Sequence, residues 1–562
     1  MSFLTGLTMP VAMRAPAELT LTEQTRMICA LRARLAERHG AACALIETHT
    51  SFVLVCGSHA YKVKKALKTE FLDQSSHARR RHACQEELRL NRRLAADLYL
   101  GIVCITGAVD APEIDGVGTD LECAVKMRAF GQEGLWDRLA ANHTLEAARI
   151  DELVGILVPF HAAAAVAPRS GRLGSPAQVR APVVETLDDL DRQIDSAADR
   201  AILSELRLFE SESFVRLHAA MARRLARGRV RECHGDLHLG NVTMVDGHSV
   251  VFDGIEFNDD LRWIDVINES AFMAMDLHAR GLTALAHRFI NGYLEASGDY
   301  EGVSLLRYYM VYRALVRAKV ALLRAAQCVQ PNGAESPQPS EAVRRHAAAS
   351  SYLALALRLS RSACSAARPA LMITHGYSGS GKSTLTHSLI EASGAIRIRA
   401  DIERKRLVGM DPLDRRGDAA DIALYGPAMT AATYARLRRF AVIVLRAGFH
   451  AILDATFLRR QQRITARRLA AKWGVGFVIL DFEVDAEVLR QRLRQRRALG
   501  RDASDADESV LAAQMRTSQP LRPDERTAAF SCESAALAWD AQARADWRPL
   551  LAILGQRPQS AR

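Results

Sequence analysis

A chain of 562 residues exceeds the about 250–300 residues at which a single hydrophobic core stops growing, so we expect two to four domains. Hydrophobic residues make up 49% and charged residues 25%, and aliphatic runs such as AVIVL from Ala441 are far shorter than the ~20 residues of a membrane span. Residues 371–562 hold 31 Lys and Arg against 21 Asp and Glu, a basic balance that suits either a phosphate-rich ligand or a solvated surface.

The first residues, MSFLTGLTMPVAMR, have no basic residue before their apolar stretch, so we expect no secretory signal and assign the chain to the cytoplasm. Ten cysteines are scattered between Cys29 and Cys532 without a C-x-x-C pair. This spacing fits neither a zinc site nor a disulfide framework, so we expect reduced, mostly buried thiols.

The first predicted elements form a small, strand-rich lobe. A helix, TEQTRMICALRARLAERHG, ends at Gly40, and two strands, SFVLVCG and HAYKVKKAL, are joined by a tight Gly57–Ser58 turn. The long helix ARRRHACQEELRLNRRLAADL follows, and residues 120–130 resemble a further strand. Residues 134–230 and 262–328 have Ala- and Leu-rich helical periodicity, so a large helical lobe is expected after the strands.

A composition break at residues 329–342, VQPNGAESPQPSEA, indicates a surface loop or linker. A helix is predicted over residues 341–367, and a new apolar strand opens after Pro369. The expected organisation is therefore an N-terminal helical segment (1–39), a first domain (40–328), a linker with a connecting helix (329–368), a second domain (369–545) and a tail (546–562). We expect a fragment that begins near Arg361 to fold without the first domain.

The stretch CHGDLHLGNV, followed by VFDGIEF, carries the residue types that phosphoryl transfer needs. Such a transfer requires one carboxylate that orients or deprotonates the acceptor hydroxyl and two oxygen ligands that hold Mg²⁺ against the nucleotide phosphates. Asp236 and Asn241 lie five residues apart in a Gly- and His-rich loop, and Asp253 follows the apolar strand HSVVF. A hairpin-like return of the chain would bring all three together.

With these residues the sequence resembles the aminoglycoside phosphotransferase family, in which HGDLHxxN replaces the protein-kinase catalytic loop. The resemblance covers about residues 40–325. It implies a bilobal, protein-kinase-like fold, Asp236 as catalytic base, Asn241 and Asp253 as metal ligands, and His234 as a structural member of the loop. His238 is expected to pack in the loop, and Glu256 could touch the substrate or cap the turn. The chain departs from protein kinases because only CGSH, and no G-x-G-x-x-G loop, separates the first two strands.

A kinase of this type also needs a cation over the phosphates, held by a carboxylate from a neighbouring helix. Lys62 and Lys64 point to the same face of their strand, and either could serve. Glu87 lies on an otherwise apolar helical stripe and would need a cationic partner if buried, whereas Glu86 shares its side with arginines and is expected to be solvated. We therefore expect Glu87 to pair with a strand lysine.

The second domain opens with GYSGSGKS, which fits the pattern G-x-x-x-x-G-K-[ST] between a strand and a helix. The glycines let backbone N–H groups surround a phosphate, the lysine reaches the outer phosphates, and the serine hydroxyl holds Mg²⁺. The residues predicted to bind the nucleotide here are Gly376, Ser378, Gly379, Ser380, Gly381, Lys382, Ser383 and Thr384, with Ser383 also a metal ligand.

Two further strands deliver carboxylates to the edge where open α/β sheets bind ligands: AIRIRAD ends in Asp401, and HAILDATF carries Asp454, a predicted metal ligand. Arg492 and Arg496 lie four apart on one helical face, either as part of a lid over phosphates or on a solvated helix.

This arrangement resembles the small, AAA-type P-loop kinases related to gluconate and polynucleotide kinases. The resemblance implies that Asp401 engages the acceptor hydroxyl as a catalytic residue and that Arg404 holds the anionic part of the acceptor. It also implies a five-stranded parallel sheet with helices on both faces. The fold class is therefore mixed, α+β in the first domain and α/β in the second.

Three functions are compatible with these patterns. The favoured hypothesis is an ATP- and Mg²⁺-dependent phosphotransferase with two nucleotide sites and small-molecule acceptors. The second is a nucleotide-binding regulator, although the expected catalytic residues are present. The third is a nucleic-acid end-processing protein, whose acceptor would be a polynucleotide 5′-hydroxyl; an aromatic content of 6% and the lack of basic stretches interleaved with aromatic residues disfavour it. No membrane partner is expected.

Overall fold

The computed structural model describes residues 18–68, 72–169, 171–327, 339–361, 368–411, 414, 426–499, 507–532 and 546–555, of which 327, 339–342 and 496–499 are described by their backbone only. The chain forms two compact units. One comprises Met1–Thr144 and Arg231–Ile264, and the other comprises Leu145–Val230 and Asp265–Arg562. The linear domain boundaries given above stay a prediction.

The α-helices of the described residues are, in chain order, α1 (Leu21–His39), α2 (His77–Ala95), α3 (Trp136–Ala141), α4 (Ala147–Ala163), α5 (Pro176–Gln193), α6 (Ala197–Ala226), α7 (Asp259–Arg262), α8 (Val266–Ala279), α9 (Thr283–Ser297), α10 (Val303–Gln327), α11 (Pro339–Arg361), α12 (Lys382–Ser393), α13 (Ala400–Leu407), α14 (Pro427–Arg446), α15 (Arg460–Trp473), α16 (Ala486–Leu499), α17 (Glu508–Thr517), α18 (Pro523–Arg526) and α19 (Arg548–Ile553). Short 3₁₀ turns cover Gln132–Gly134, Leu239–Asn241 and Tyr300–Gly302.

The strands are β1 (Ala44–Glu47), β2 (Ser51–Cys56), β3 (His59–Lys64), β4 (Tyr99–Ala108), β5 (Ala111–Ile114), β6 (Asp120–Arg128), β7 (Val230–Glu232), β8 (Val242–Val245), β9 (His248–Val251), β10 (Trp263–Asp265), β11 (Ala370–His375), β12 (Ile396–Arg399), β13 (Ala451–Asp454), β14 (Gly476–Asp481) and β15 (Ala529–Ser531).

A six-stranded antiparallel sheet with strand order β1-β2-β3-β6-β4-β5 forms the core of the first unit. Side chains alternate across a strand, so each face of the sheet buries a different set. The apolar side chains of α1 pack with Phe52, Leu54 and Val63 on one face. Cys84 of α2 packs with Tyr99 and other residues on the opposite face. The face of β3 that carries Lys62 and Lys64 is therefore the α2 face.

Several local predictions for this unit are confirmed. Helix α1 begins with a capping box between Thr20 and Glu23 and ends at Gly40 in the left-handed conformation. Strands β2 and β3 are joined at Gly57–Ser58, where Gly57 has a φ of 58°. Strands β1, β4 and β5 were not predicted from the sequence, because their apolar residues do not alternate clearly with polar ones.

The expectation that all cysteines are reduced is wrong for one pair. Cys43 and Cys56 form a disulfide across the β1–β2 hairpin. The antiparallel register explains the pairing, because Ala44 lies opposite Val55, which leaves Cys43 facing Cys56 at the open end of the hairpin. A spacing of 13 residues without a C-x-x-C pattern gives no signal of this contact in the sequence.

The second unit contains the predicted five-stranded parallel sheet, with strand order β12-β13-β11-β14-β15. Helices α4–α6 and α8–α11 belong to the same unit. The expectation that a fragment beginning near Arg361 folds alone stays a prediction. Of the predicted connecting helix, α11 ends at Arg361, and residues 362–367 lie outside the described residues, as do residues 329–338 of the predicted linker. Among the described helices, none has both the length and the apolar character needed to cross a membrane.

Candidate functional site

The loop that precedes β8 brings Asp236 and Asn241 together. The Asn241 side-chain amide donates hydrogen bonds to the Asp236 carbonyl over 2.9 Å and to the Asp236 Oδ2 over 3.0 Å. His234 braces this loop, since its Nε2 donates to the Phe252 carbonyl over 2.8 Å and its Nδ1 accepts the Asp236 N–H over 3.3 Å. The predicted structural role of His234 is therefore consistent with its contacts.

The predicted hairpin return is confirmed. Strands β8 and β9 are antiparallel, with Val242 opposite Val251, and the Phe252 N–H donates to the Asn241 carbonyl over 3.0 Å. Asp253 comes directly after Phe252. The hydrogen bond between Phe252 and Asn241 therefore places Asp253 close to Asn241. Its side chain is 44% exposed.

The backbone around Asp253 is held in an uncommon conformation. Asp253 has a φ of 63°, in the left-handed region that non-glycine residues seldom adopt. Its N–H donates to the Tyr99 hydroxyl over 3.1 Å, and the following Gly254 N–H donates to the Asn91 Oδ1 over 2.8 Å. These bonds hold the backbone from which the Asp253 carboxylate projects. Tyr99 and Asn91 were not predicted as site residues, although Asn91 lies one helical turn after Glu87.

The predicted ion pair between Glu87 and a strand lysine is present, and it involves both lysines. Lys62 Nζ lies 2.8 Å from Glu87 Oε1, and Lys64 Nζ lies 2.5 Å from Glu87 Oε2. Lys62 also contacts Asp253, and Lys64 also contacts Glu256. The Glu87 and Lys64 side chains are 0% and 1% exposed. Lys62 is thus the lysine that faces the predicted metal ligand, and Glu256, whose role was left open, pairs with Lys64.

The electrostatic surroundings of Glu87 and Lys62 favour their charged forms. Burial by itself would raise the pKa of Glu87, but the Lys62 and Lys64 ammonium groups outweigh it and lower that pKa to about 2. Burial opposes the charge of Lys62, yet the carboxylates of Asp253 and Glu87 hold its pKa well above the ordinary value. Burial raises the pKa of Glu256 despite its contact with Lys64. Outside this cluster, Glu86 pairs with Arg89 over 2.8 Å as expected, but its side chain is half-buried and not fully solvated.

His238 does more than pack within the loop, because both of its ring nitrogens contact polar groups. Its Nδ1 accepts the Gly240 N–H over 3.0 Å, and its Nε2 lies 3.4 Å from Asp236 Oδ2. The position of this histidine, two residues after Asp236 in the motif HGDLH, is the sequence signal that could have indicated the contact.

The glycine-rich loop of the second unit follows β11 and leads into α12, as predicted. Gly376, Gly379 and Gly381 have φ values of 145°, 85° and 82°, which residues other than glycine rarely adopt. A Cβ at Gly376 would lie 2.8 Å from the Phe482 carbonyl oxygen, so glycine is also required there by space. The loop therefore has the glycine-dependent, tightly packed backbone expected of a phosphate-binding loop.

Lys382 and Ser383 begin α12; Lys382 bonds back to the glycine-rich loop, and Ser383 bonds to the predicted metal ligand Asp454. Lys382 Nζ donates to the carbonyls of Gly376 over 3.1 Å and Tyr377 over 2.5 Å, and to Ser380 Oγ over 3.3 Å. The Ser383 hydroxyl donates to Asp454 Oδ2 over 2.7 Å. The parallel pairing of β11 with β13 brings these two oxygens together, because both follow the carboxyl ends of neighbouring strands. Thr384 is exposed.

Asp401 and Arg404 lie on α13, directly after the edge strand β12. Arg404 Nη1 binds Asp401 Oδ1 over 2.9 Å, and the Arg404 side chain is buried. Asp401 is thus placed at the carboxyl edge of the sheet as predicted, and the two residues form one ion pair.

Helix α16 packs beside the glycine-rich loop through Leu489 and Leu493, which cluster with Tyr377. Arg492 on this helix is buried, so it is not part of a solvated face, and its burial lowers its pKa. The Arg496 side chain lies outside the described residues, as do residues 500–506. Gln514 of α17 was not predicted; it accepts the Ser378 N–H over 3.0 Å and donates to the Ser378 hydroxyl over 2.9 Å.

Two family models match the chain. The model of the phosphotransferase enzyme family matches residues 58–306, and a model of the AAA domain matches residues 371–521. The first range contains the Lys62–Glu87–Asp253 cluster and the Asp236 loop, and the second contains the glycine-rich loop, Asp401 and Asp454.

A relative from Mycobacterium tuberculosis, uncharacterized protein Rv2004c, is 31% identical over 468 residues, which cover 83% of this chain and 89% of the relative. Among solved structures, a choline/ethanolamine kinase family protein from Mesorhizobium loti is 13% identical, with a TM-score of 0.35, and covers 61% of this chain and 99% of its own. The Mycobacterium tuberculosis APS kinase is 21% identical, with a TM-score of 0.23, and covers 34% of this chain and 99% of its own.

The match to both family models, together with the relative that spans most of the chain, shows the family and its two-part organisation. This chain belongs to the phosphotransferase enzyme family, carries an AAA-type P-loop domain after it, and is an ATP-dependent kinase.

Proposed function

We propose that this kinase transfers phosphoryl groups from ATP to hydroxyl groups of small-molecule acceptors, and that it does so at two nucleotide sites. The observation that carries the proposal is that each half of the chain has its own ammonium group beside its own oxygen ligands. In the first half, Lys62 contacts Asp253. In the second, Lys382 begins the helix whose next residue, Ser383, binds Asp454.

At the first site, Asp236 would orient the acceptor hydroxyl and take up its proton. Its carboxylate is held by the Asn241 amide and lies near His238, so its direction is set before an acceptor binds. Lys62 would bind the nucleotide phosphates, with Glu87 keeping it charged and in position. Lys64 would be structural, because it is buried between Glu87 and Glu256.

The oxygen ligands at both sites fit Mg²⁺, a hard cation that prefers carboxylate, amide and hydroxyl oxygens. Asn241 and Asp253 would hold it at the first site, and Ser383 and Asp454 at the second, where the Ser383 hydroxyl already lies 2.7 Å from the Asp454 carboxylate. Bound there, the ion would neutralise charge on the nucleotide phosphates. At the second site, Asp401 would engage the acceptor hydroxyl, Arg404 would bind an anionic group of the acceptor, and Arg492 would contact the phosphates.

The two lysines of β3 provide a matched pair of variants. We expect Lys62→Met to weaken Mg·ATP binding at the first site about tenfold or more. Its effect on stability should be smaller than that of Lys64→Met, because Asp253 is 44% exposed and can be solvated, and Glu87 keeps its contact with Lys64. We expect Lys64→Met to lower the free energy of unfolding by about 3–5 kcal/mol, because it leaves the buried carboxylate of Glu256 without a cation. Nucleotide titration and denaturant unfolding of the full chain separate the two effects.

The exposed Lys68→Met serves as a control for the loss of a lysine near this strand. The assignment of Lys62 would be contradicted by a Lys64→Met protein that is fully folded but has lost ATP binding while Lys62→Met binds ATP normally.

To test the function itself, the full chain is incubated with labelled ATP and a cell metabolite extract, and the labelled products are identified. Parallel reactions with Asp253→Ala and Lys382→Ala assign each product to one site. A panel of sugar acids, nucleosides and 5′-hydroxyl oligonucleotides then defines the acceptor class. We expect label in small anionic or polyhydroxy compounds. Label confined to oligonucleotides would favour an end-processing kinase, and no transfer at all with intact ATP binding would favour a regulatory role.

A further inference from the structure

Helix α9 lies against the edge of the P-loop sheet, although its residues belong to the range matched by the phosphotransferase family model. Strand β12 is the edge strand of that sheet, and an edge strand exposes unpaired backbone N–H and C=O groups. Asn291 of α9, which is 3% exposed, donates to the Ala395 carbonyl over 2.9 Å and accepts the Arg397 N–H over 2.8 Å. The Tyr300 hydroxyl donates to the Arg397 carbonyl over 3.1 Å. Side chains from the helical region therefore replace a neighbouring strand.

One carboxylate of α9 binds two arginines of this strand. Glu295 Oε2 lies 3.2 Å from Arg397 Nη2, and Glu295 Oε1 lies 3.0 Å from Arg399 Nη1. Burial by itself would raise the pKa of Glu295, but the two arginines outweigh it and lower the pKa. Glu295 is thus an ionised carboxylate in a largely buried position, where removal of its charge takes from the buried Arg397 guanidinium the carboxylate that it binds.

Arg397, which binds Glu295, also bonds to the first turn of α12, the helix that follows the glycine-rich loop. Its Nη1 donates to the Ser383 carbonyl over 2.7 Å and lies 3.1 Å from Thr386 Oγ1. A single guanidinium therefore joins Glu295 to the residue whose hydroxyl binds Asp454. The planar fork of arginine allows this because its two terminal nitrogens point to different partners at once.

A second connection runs to α13. Arg406 of α13 donates to the Glu295 backbone carbonyl over 2.7 Å, near the C-terminal end of α9. Asp401 and Arg404 lie on the same helix as Arg406. The segment around Glu295 thus contacts both the helix that begins with Lys382 and the helix that carries the proposed acceptor-binding pair.

We infer that Glu295, a residue of the phosphotransferase-family region, is a positioning residue for the P-loop site: through Arg397 it sets the position of Ser383. The inference rests on the second nucleotide site proposed above. Phosphoryl transfer depends on alignment, and a displacement of about 1 Å can cost about 10²-fold in rate. The helical region would therefore be required for phosphoryl transfer by the C-terminal domain.

The test measures Mg²⁺-dependent ATP hydrolysis by the full chain. The activity assigned to the P-loop site is the hydrolysis by the wild-type chain minus the hydrolysis that remains in Lys382→Ala. We expect Glu295→Gln to lower kcat of this activity about tenfold and to raise the half-saturating Mg²⁺ concentration several-fold, because Ser383 is a proposed Mg²⁺ ligand. Glu205→Gln is the matched control, since Glu205 forms an exposed ion pair with Arg361 on other helices of the same unit. It should change neither value.

Arg397→Lys provides a second variant that keeps a positive charge beside Glu295 but lacks the fork that reaches Ser383, and we expect the same two kinetic changes from it. Unfolding midpoints are measured for every variant. A lower midpoint with unchanged kcat and Mg²⁺ dependence in both variants would show a merely structural role and overturn the inference. A wild-type chain without any Lys382-dependent hydrolysis or transfer would instead overturn the proposed second site, and the inference with it.

Discussion

Asparagine in place of Asp236 is expected to lower kcat at the first site by about 10²–10⁴-fold and to leave the affinity for ATP unchanged. A group that orients the acceptor and accepts its proton acts mainly in the transition state, so its loss affects turnover rather than nucleotide binding. The amide is nearly isosteric with the carboxylate, so the Asn241 contact that holds this position can be kept in part. Nucleotide titration and labelled phosphoryl transfer of the full chain measure the two quantities.

Asp110→Asn is the control for this variant, because Asp110 forms an exposed ion pair with Arg26 in the same unit. It should transfer label as the wild-type chain does. Transfer at the wild-type rate by Asp236→Asn would remove the assignment of Asp236, and a loss of ATP binding equal to the loss of turnover would indicate that the substitution disturbs the loop as a whole.

The second large effect is expected from Lys382→Ala, which should reduce phosphoryl transfer at the P-loop site by about 10²–10³-fold or more. Lys382 Nζ contacts the carbonyls of Gly376 and Tyr377 and the Ser380 hydroxyl, so the lysine closes the loop in the structure. With a nucleotide bound, the same ammonium group would serve the β- and γ-phosphates. Alanine removes both the charge and these contacts.

The variant should keep the activity of the first site, which gives an internal control within the same chain. Lys472→Ala, a substitution at an exposed lysine of α15, controls for the loss of one positive charge. If Lys382→Ala transferred label to every acceptor at the wild-type rate, all measured transfer would have to come from the first site, and the proposal of two active sites would be wrong.

Local spacing singled out most of the residues of the two proposed sites. The period of two in β3 indicates that Lys62 and Lys64 share a face, and the helical stripe of α2 singles out Glu87 as a buried carboxylate. The five-residue interval between Asp236 and Asn241 and the pattern GYSGSGKS are likewise short-range. These features need only the geometry of one strand, one helix or one loop, which the sequence specifies directly.

Partners that lie far apart in the chain could not be predicted in this way. Glu256 is separated from Lys64 by 192 residues, and Tyr99 from Asp253 by 154. The Cys43–Cys56 disulfide depends on the register of β1 against β2. Each of these contacts is set by how strands and helices pack, for which the sequence has no periodic signal.

The sequence by itself determined the kinase chemistry of this protein, because phosphate and acceptor binding require particular side chains at short, fixed intervals. It did not determine where one functional region ends and the next begins. Linear composition separates residues 40–328 from 369–545, but the structure groups α9 with the P-loop sheet. The physical reason is that the edge of β12 must have its backbone groups bonded and its arginines neutralised, and Asn291 and Glu295, about a hundred residues earlier in the chain, provide both.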